Sequence, residues 1–163
     1  MSVWRNLFSV AGDDAGRTEQ PITGLAKIID QRLRAQGLFV LGHAHGDGFY
    51  EIFASSSPDM IVLPDSVEAS GIAILLAAAY DPPTVVFERI NSIAPGLGRR
   101  MVVAVLDGLR EYPGLFQRLR VNDLSPLQAD GRRWWEHMAD MHQDFEWMIT
   151  HDPDATHCEK SLR

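Results

Sequence analysis

Apolar residues recur at helical spacing over Ile22–Gln36. Ile22, Leu25, Ile29 and Leu33 share one face there, with Lys27, Asp30 and Arg34 opposite. The spacing predicts a helix, closed by Gly37. The preceding stretch, 11–20, is small and polar and reads as a loop. Leu38–Leu41 and Phe49–Phe53 read as strands; in the second, Phe49, Glu51 and Phe53 alternate with Tyr50 and Ile52. The GHAHGDG run between them supplies a turn and predicts a hairpin. Ser55–Asp59 breaks the pattern, and Met60–Leu63 reads as a short strand.

Ser66–Tyr80 fits two readings. Its Ala and Leu favour a helix capped by Asp65 or Ser66, whereas Ile72–Leu76 equally suits a buried strand. Asp81, Pro82 and Pro83 end either one. Thr84–Ile90 is β-branched and aromatic and reads as a strand. A turn over Ala94–Gly98 leads into a helix at Arg99–Glu111, with Met101, Val102, Val105, Leu106 and Leu109 on its apolar face. Leu119–Val121 is then a strand, Leu127–His142 a helix and Phe145–Thr150 a strand. Strands alternating with helices predict parallel pairing in this half. With the hairpin added, the expected fold is α+β with an α/β-like second half: a mixed central sheet flanked by helices. The 163 residues suit a single domain, with 1–20 and 152–163 as loose ends.

Composition narrows the function classes. Fifteen Lys and Arg against 22 Asp and Glu leave a net charge of −7, which argues against long nucleic acid as a partner. A single cysteine, Cys158, excludes an internal disulfide. The longest strongly apolar run, Gly71–Tyr80, is too short to span a bilayer. Met1–Val10 lacks the pattern of a secretory leader, so the expected location is cytoplasmic. The charge is unevenly spread. Residues 89–133 hold eight Arg against four acids, a local excess of four, so the remainder carries −11. Guanidinium groups grip phosphate and carboxylate side-on, so this segment fits a small anionic ligand; pairing with the chain's own carboxylates fits it equally.

The strongest local signal is a strand running through a glycine turn into a helix, over Val85–Leu109. Gly96 and Gly98 permit a tight turn, and the first amides of a helix attract phosphate. Arg99 and Arg100 would add charge there. A glycine turn of this kind is also common in α/β proteins that bind nothing at it.

Over residues 84–150 this pattern resembles the GCN5-related N-acetyltransferase superfamily, whose members hold acyl-CoA pyrophosphate on a Gly-x-Gly turn between a strand and a helix. Two positions differ: Ile93 stands where the superfamily usually has Arg or Gln, and Trp135 where it often has a tyrosine acid. Ile93-Ala94-Pro95-Gly96 and Leu119-Arg120-Val121 also look like stretches of the toxin-activating lysine acyltransferases, which share that fold. The resemblance implies acetyl-CoA as cofactor, held by Ile93, Gly96, Leu97, Gly98, Arg99 and Arg100. It implies transfer of an acetyl-type group to a small amine or a Lys side chain. Glu88 would be the proton acceptor, with Asp123 and Ser125 as second candidates; Glu88 also reads as an outward strand residue paired with Arg89 or Arg120. The alternative function is a non-enzymatic binding domain for a basic protein, catalytically dead but of the same fold.

Two other constellations stand out. His43-Ala44-His45-Gly46-Asp47 looks like the start of the metallo-β-lactamase metal motif, but the further ligands are missing, so a hairpin turn is expected and no metal. Trp134 and Trp135 are adjacent on a predicted helix and cannot both face the core. One of them is expected in a groove or an interface, a homodimer included.

Overall fold

The computed structural model describes residues 13–59, 67–122 and 129–149. Its element order is α1 (Asp13–Arg34), β1 (Phe39–Gly46), β2 (Phe49–Ser55), β3 (Gly71–Ala77), β4 (Thr84–Asn91), α2 (Leu97–Arg110), β5 (Arg118–Val121), α3 (Ala129–Met141) and β6 (Glu146–Ile149). The fold is α+β. The six strands form one sheet in sequence order, antiparallel from β1 to β4 and parallel from β4 through β6. The mixed sheet, the hairpin and the parallel second half agree with the sequence reading.

Two segments differ from it, and a third, which fits two readings in the sequence, takes one of them. Residues 13–20 are the start of α1, not a loop. The stretch is small and polar, but Ala15, Arg17, Glu19 and Gln20 are good helix formers. Second, β1 continues through Gly46, so most of GHAHGDG is strand. Only Asp47 and Gly48 form the turn, both at positive φ, 53° and 84°. Gly42 pairs with Ile52 within the ladder, and the Tyr50 hydroxyl leaves no room there for a β-carbon. Third, Gly71–Ala77 is the strand and not the helix: it pairs with β2 on one side and β4 on the other, and six of its seven residues are buried. The predicted strand Met60–Leu63 lies outside the described residues.

The core occupies one face of the sheet. Ile52, Ile74, Leu76, Val85, Phe87 and Leu119 join Leu25, Ile29, Met101, Leu106 and Trp135 in a single cluster. Both parallel crossovers step across the sheet in one direction, so right-handedness puts α2 and α3 on the same side. The α1 helix packs there too, with Gly108 of α2 against Ile28 and Ile29. Trp135 is 1% exposed and lies 5.2 Å from the Phe87 ring, while Trp134 is only partly buried. The opposite parity of the strands faces away from these helices. That face carries Phe39 and Leu41, 47% and 53% exposed, with Phe53, Leu75, Glu51, Glu88, Arg118 and Arg120. No helix among the described residues is long and apolar enough to cross a membrane.

Candidate functional site

Register places Glu88 at a break in the sheet. Ala73 faces Arg89 and Ile74 faces Phe87, so β4 contains one residue more than β3 between these pairs. Glu88 is that residue. A bulge of this kind bends its strand and re-aims side chains, which is why Phe87 and Ile90, three apart, both meet the core. The neighbour on the other side changes at the same place. β5 pairs with β4 from Thr84 to Phe87, and the Asn122 amide then donates to the Phe87 carbonyl at 2.9 Å. β4 continues four residues further, so the two parallel strands part immediately beside Glu88. The carboxyl ends of parallel strands are where crevices open in such sheets.

The Glu88 carboxyl is half-buried, and burial pushes its pKa above the usual carboxylate range. The Glu51 charge pushes the same way, while Arg89 and His45 act against it. Glu51 lies on β2 and receives His45 Nε2 at 2.7 Å. His45 is the extra residue in a second irregularity, between Ala44 and Gly46 on β1. Strand parity and the two bulges together place three titratable groups, from β1, β2 and β4, on the helix-free face. Glu88 was recognisable from its place before the glycine turn. In the sequence His45 stands out only within the His43–Asp47 run and Glu51 only through the alternation of Phe49–Phe53; the register is needed to join both to Glu88.

The glycine turn is built from both ends. Gly96 has φ 76°, a left-handed conformation that favours glycine, and α2 begins at the next residue. Upstream, the Ile93 amide donates to Ser70 Oγ at 2.9 Å and the Ser92 hydroxyl donates to the Ala94 carbonyl. The Leu97 amide donates to the Ala94 carbonyl, and the Gly98 amide to Ser92 Oγ, both at 3.2 Å. Leu97 and Gly98 are buried, with Gly98 beneath Trp134. The predicted binding residues therefore divide. Ile93, Gly96, Arg99 and Arg100 are exposed around the turn, whereas Leu97 and Gly98 form its packed underside. No acidic residue lies in the first turn of α2, and Arg99 and Arg100 stand at its electropositive end. Two cations there oppose the helix dipole unless an anion joins them.

Asp123 and Ser125 lie outside the described residues. Among the described residues no group of three or more His, Cys, Asp or Glu side chains is arranged to hold a metal ion. His43 and His45 stack edge-to-face, with ring centroids 4.5 Å apart. Trp135 is a core residue packed against Phe87 and Trp147. Much of the Arg-rich segment pairs internally: Arg110 with Asp107 and Asp144, Arg118 with Glu146, and Arg132 with Glu136. In comparison with known proteins, no family model, no curated protein and no solved structure matches the chain.

Proposed function

We propose that this chain is an acyl-CoA-dependent N-acyltransferase that moves an acetyl-type group to an amine. The observation that carries this reading is the parting of β4 from β5 beside the bulged Glu88, directly upstream of the Gly96 turn. Acetyl-CoA, when bound, would supply the activated acyl thioester. Arg99, Arg100 and the exposed backbone of Gly96 would hold its pyrophosphate. An amine reacts only as the free base, so the acceptor's ammonium must first lose a proton. Glu88 takes that proton, and a carboxyl held above its usual range suits the task near neutral pH. Backbone N–H groups of β4 would polarise the thioester carbonyl of the bound cofactor. The resemblance of residues 84–150 to the N-acetyltransferase superfamily supports the same reading. The acceptor class is a small amine or a Lys side chain, and the expected location is the cytoplasm.

The second reading is a non-catalytic binding domain for a basic protein. Trp135 favours it, because its indole is buried where the superfamily often presents a tyrosine hydroxyl. Thermal unfolding with acetyl-CoA and with free CoA separates the two. A ligand at about 100 times its dissociation constant adds about 2.7 kcal/mol of stability. Absence of a shift with both at saturating concentrations sinks the transferase reading. A shift without release of free CoA thiol, across a panel of amines and Lys peptides, leaves the binding domain.

A further inference from the structure

A cleft of about 440 Å³ lies at the other end of the parallel strands; two guanidinium groups, Arg118 and Arg120, and one carboxylate, Asp81, line it together with Ala79, Tyr80, Pro82, Thr84 and Met148. Thr84 begins β4 and Arg118 begins β5, so the cleft is separated from the Gly96 turn by the length of β4, about 20 Å at strand rise. It falls in the size range of small-molecule sites.

Its chemistry is specific. Arg118 and Arg120 are two apart on β5, so both side chains stand on the helix-free face, with α-carbons about 6.6 Å apart. Arg118 is incompletely used. Its Nη2 donates to Glu146 Oε1 at 3.0 Å, and its Nε is buried with no acceptor among the described residues. Glu146 is 59% exposed, on an edge strand, and touches the guanidinium through one oxygen. The Arg120 Nε donates to the neutral amide oxygen of Asn122 at 3.1 Å. The Thr84 hydroxyl donates to the Pro82 carbonyl at 2.8 Å, which fixes the cleft's rim. Beside these donors are the apolar surfaces of Ala79, Pro82 and Met148 and the Tyr80 ring, the last set edge-on to Phe49 at 5.6 Å.

We infer that this cleft binds a small organic carboxylate that displaces the Glu146 side chain, so that its two oxygens take the Nε–Nη2 edge of Arg118 while its apolar body lies against Pro82 and Met148. Side-on pairing is the geometry a guanidinium prefers, and Glu146 supplies only half of it. The ligand therefore competes with Glu146 for Arg118. The inference is independent of the transferase reading, because it uses neither Glu88 nor the glycine turn.

The test is NMR titration of the full chain with hexanoate, hexanamide and inorganic phosphate. Hexanoate is expected to saturate and to shift the Thr84 and Arg118 amides and the Arg118 side-chain Nε–H; the neutral amide is expected to do neither. Arg118→Gln weakens hexanoate binding by about tenfold or more, and Glu146→Gln strengthens it. If Arg118→Gln does not fold, Arg120→Gln is the second weakening variant, and Glu146→Gln still tests the competition. No saturation by hexanoate, equal binding of hexanamide, or an unchanged affinity in Glu146→Gln overturns the inference. Saturation by phosphate in place of hexanoate overturns the carboxylate assignment.

Discussion

Gly108 of α2 lies so close to Ile29 of α1 that a β-carbon built on it would stand 2.9 Å from Ile29 Cγ1. Ile29 is fully buried and has no room to withdraw. Gly108→Ala gains helix propensity of about 1 kcal/mol, but overpacking a core costs about 1–3 kcal/mol. A net loss is expected in chemical denaturation. Combined with Ile29→Ala, the loss should be smaller than the sum of the two single variants. Additive losses would show that the two helices do not meet at this contact.

Phe87 and Trp135 join the sheet to α3, with ring centroids 5.2 Å apart. Each is nearly or fully buried. Truncating either to Ala should cost about 3–5 kcal/mol, read from the denaturant midpoint. A cost below about 1 kcal/mol for Trp135→Ala, the range of surface changes, would contradict its core placement.

The two glycines of the turn should respond differently. Gly96→Ala forces a left-handed backbone on a residue with a side chain, at about 1–2 kcal/mol. A β-carbon on Gly98 meets Ser92 at 3.4 Å and Trp134 at 3.6 Å, contacts close to ordinary. Gly98→Ala is therefore expected to change stability by less than about 1 kcal/mol. Thermal melts of the two variants decide this, and equal losses would refute the assignment of strain to Gly96.

His142 makes stability depend on pH. Its Nδ1 faces Arg110 Nη2 at 3.0 Å, and the arginine donates, so the neutral imidazole accepts. Burial and the Arg110 charge hold its pKa below the usual histidine range, with Arg99 adding to them; Asp144 and Asp107 oppose. A depressed histidine favours the fold in its neutral form. That contribution is complete above the unfolded value of about 6.5 and is lost as pH falls through it toward the folded value. Asp144, whose carboxyl Arg110 holds below its usual range, loses its own contribution only at lower pH. Between about pH 7.5 and 5.5 the melting temperature should therefore fall more in the parent protein than in His142→Gln. An equal fall in both would exclude His142 as the cause.

Glu88 sets the acid limb of activity if it is the base. Glu88→Gln should lower kcat/KM by about 10²–10⁴-fold. Glu51 raises the Glu88 pKa by its charge, so Glu51→Gln should move the acid limb of the pH–rate profile to lower pH. A limb that stays in place would disconnect the two carboxylates.

Local pattern specified much of this molecule. The helical spacing of Ile22–Leu33 and of Met101–Leu109 located two helices, because a 3.6-residue period can bury one face in only one conformation. The order of strands and helices after Thr84 gave parallel pairing, and Gly96 marked the left-handed turn. Two adjacent tryptophans on one helix cannot face the same way, and Trp134 is the one that is only partly buried, packed against the edge of the core.

The remainder depended on contacts between distant segments. Gly71–Ala77 is apolar at every position, so its period carries no information; pairing with β2 and β4 made it a strand. The bulge at Glu88 is a difference in residue count between two strands and is visible only once their register is known. That register, together with β5 ending its pairing at Phe87, turned an ordinary strand glutamate into a half-buried group beside a parting of the sheet. The charge followed the same division. The sequence gathered arginines between 89 and 133, but packing paired Arg110 and Arg132 with neighbouring carboxylates, left Arg99 and Arg100 at a helix start, and set Arg118 against an exposed glutamate. Composition counts charges, whereas only the fold decides which of them meet, because ion pairs form over a few ångströms in space and not along the chain.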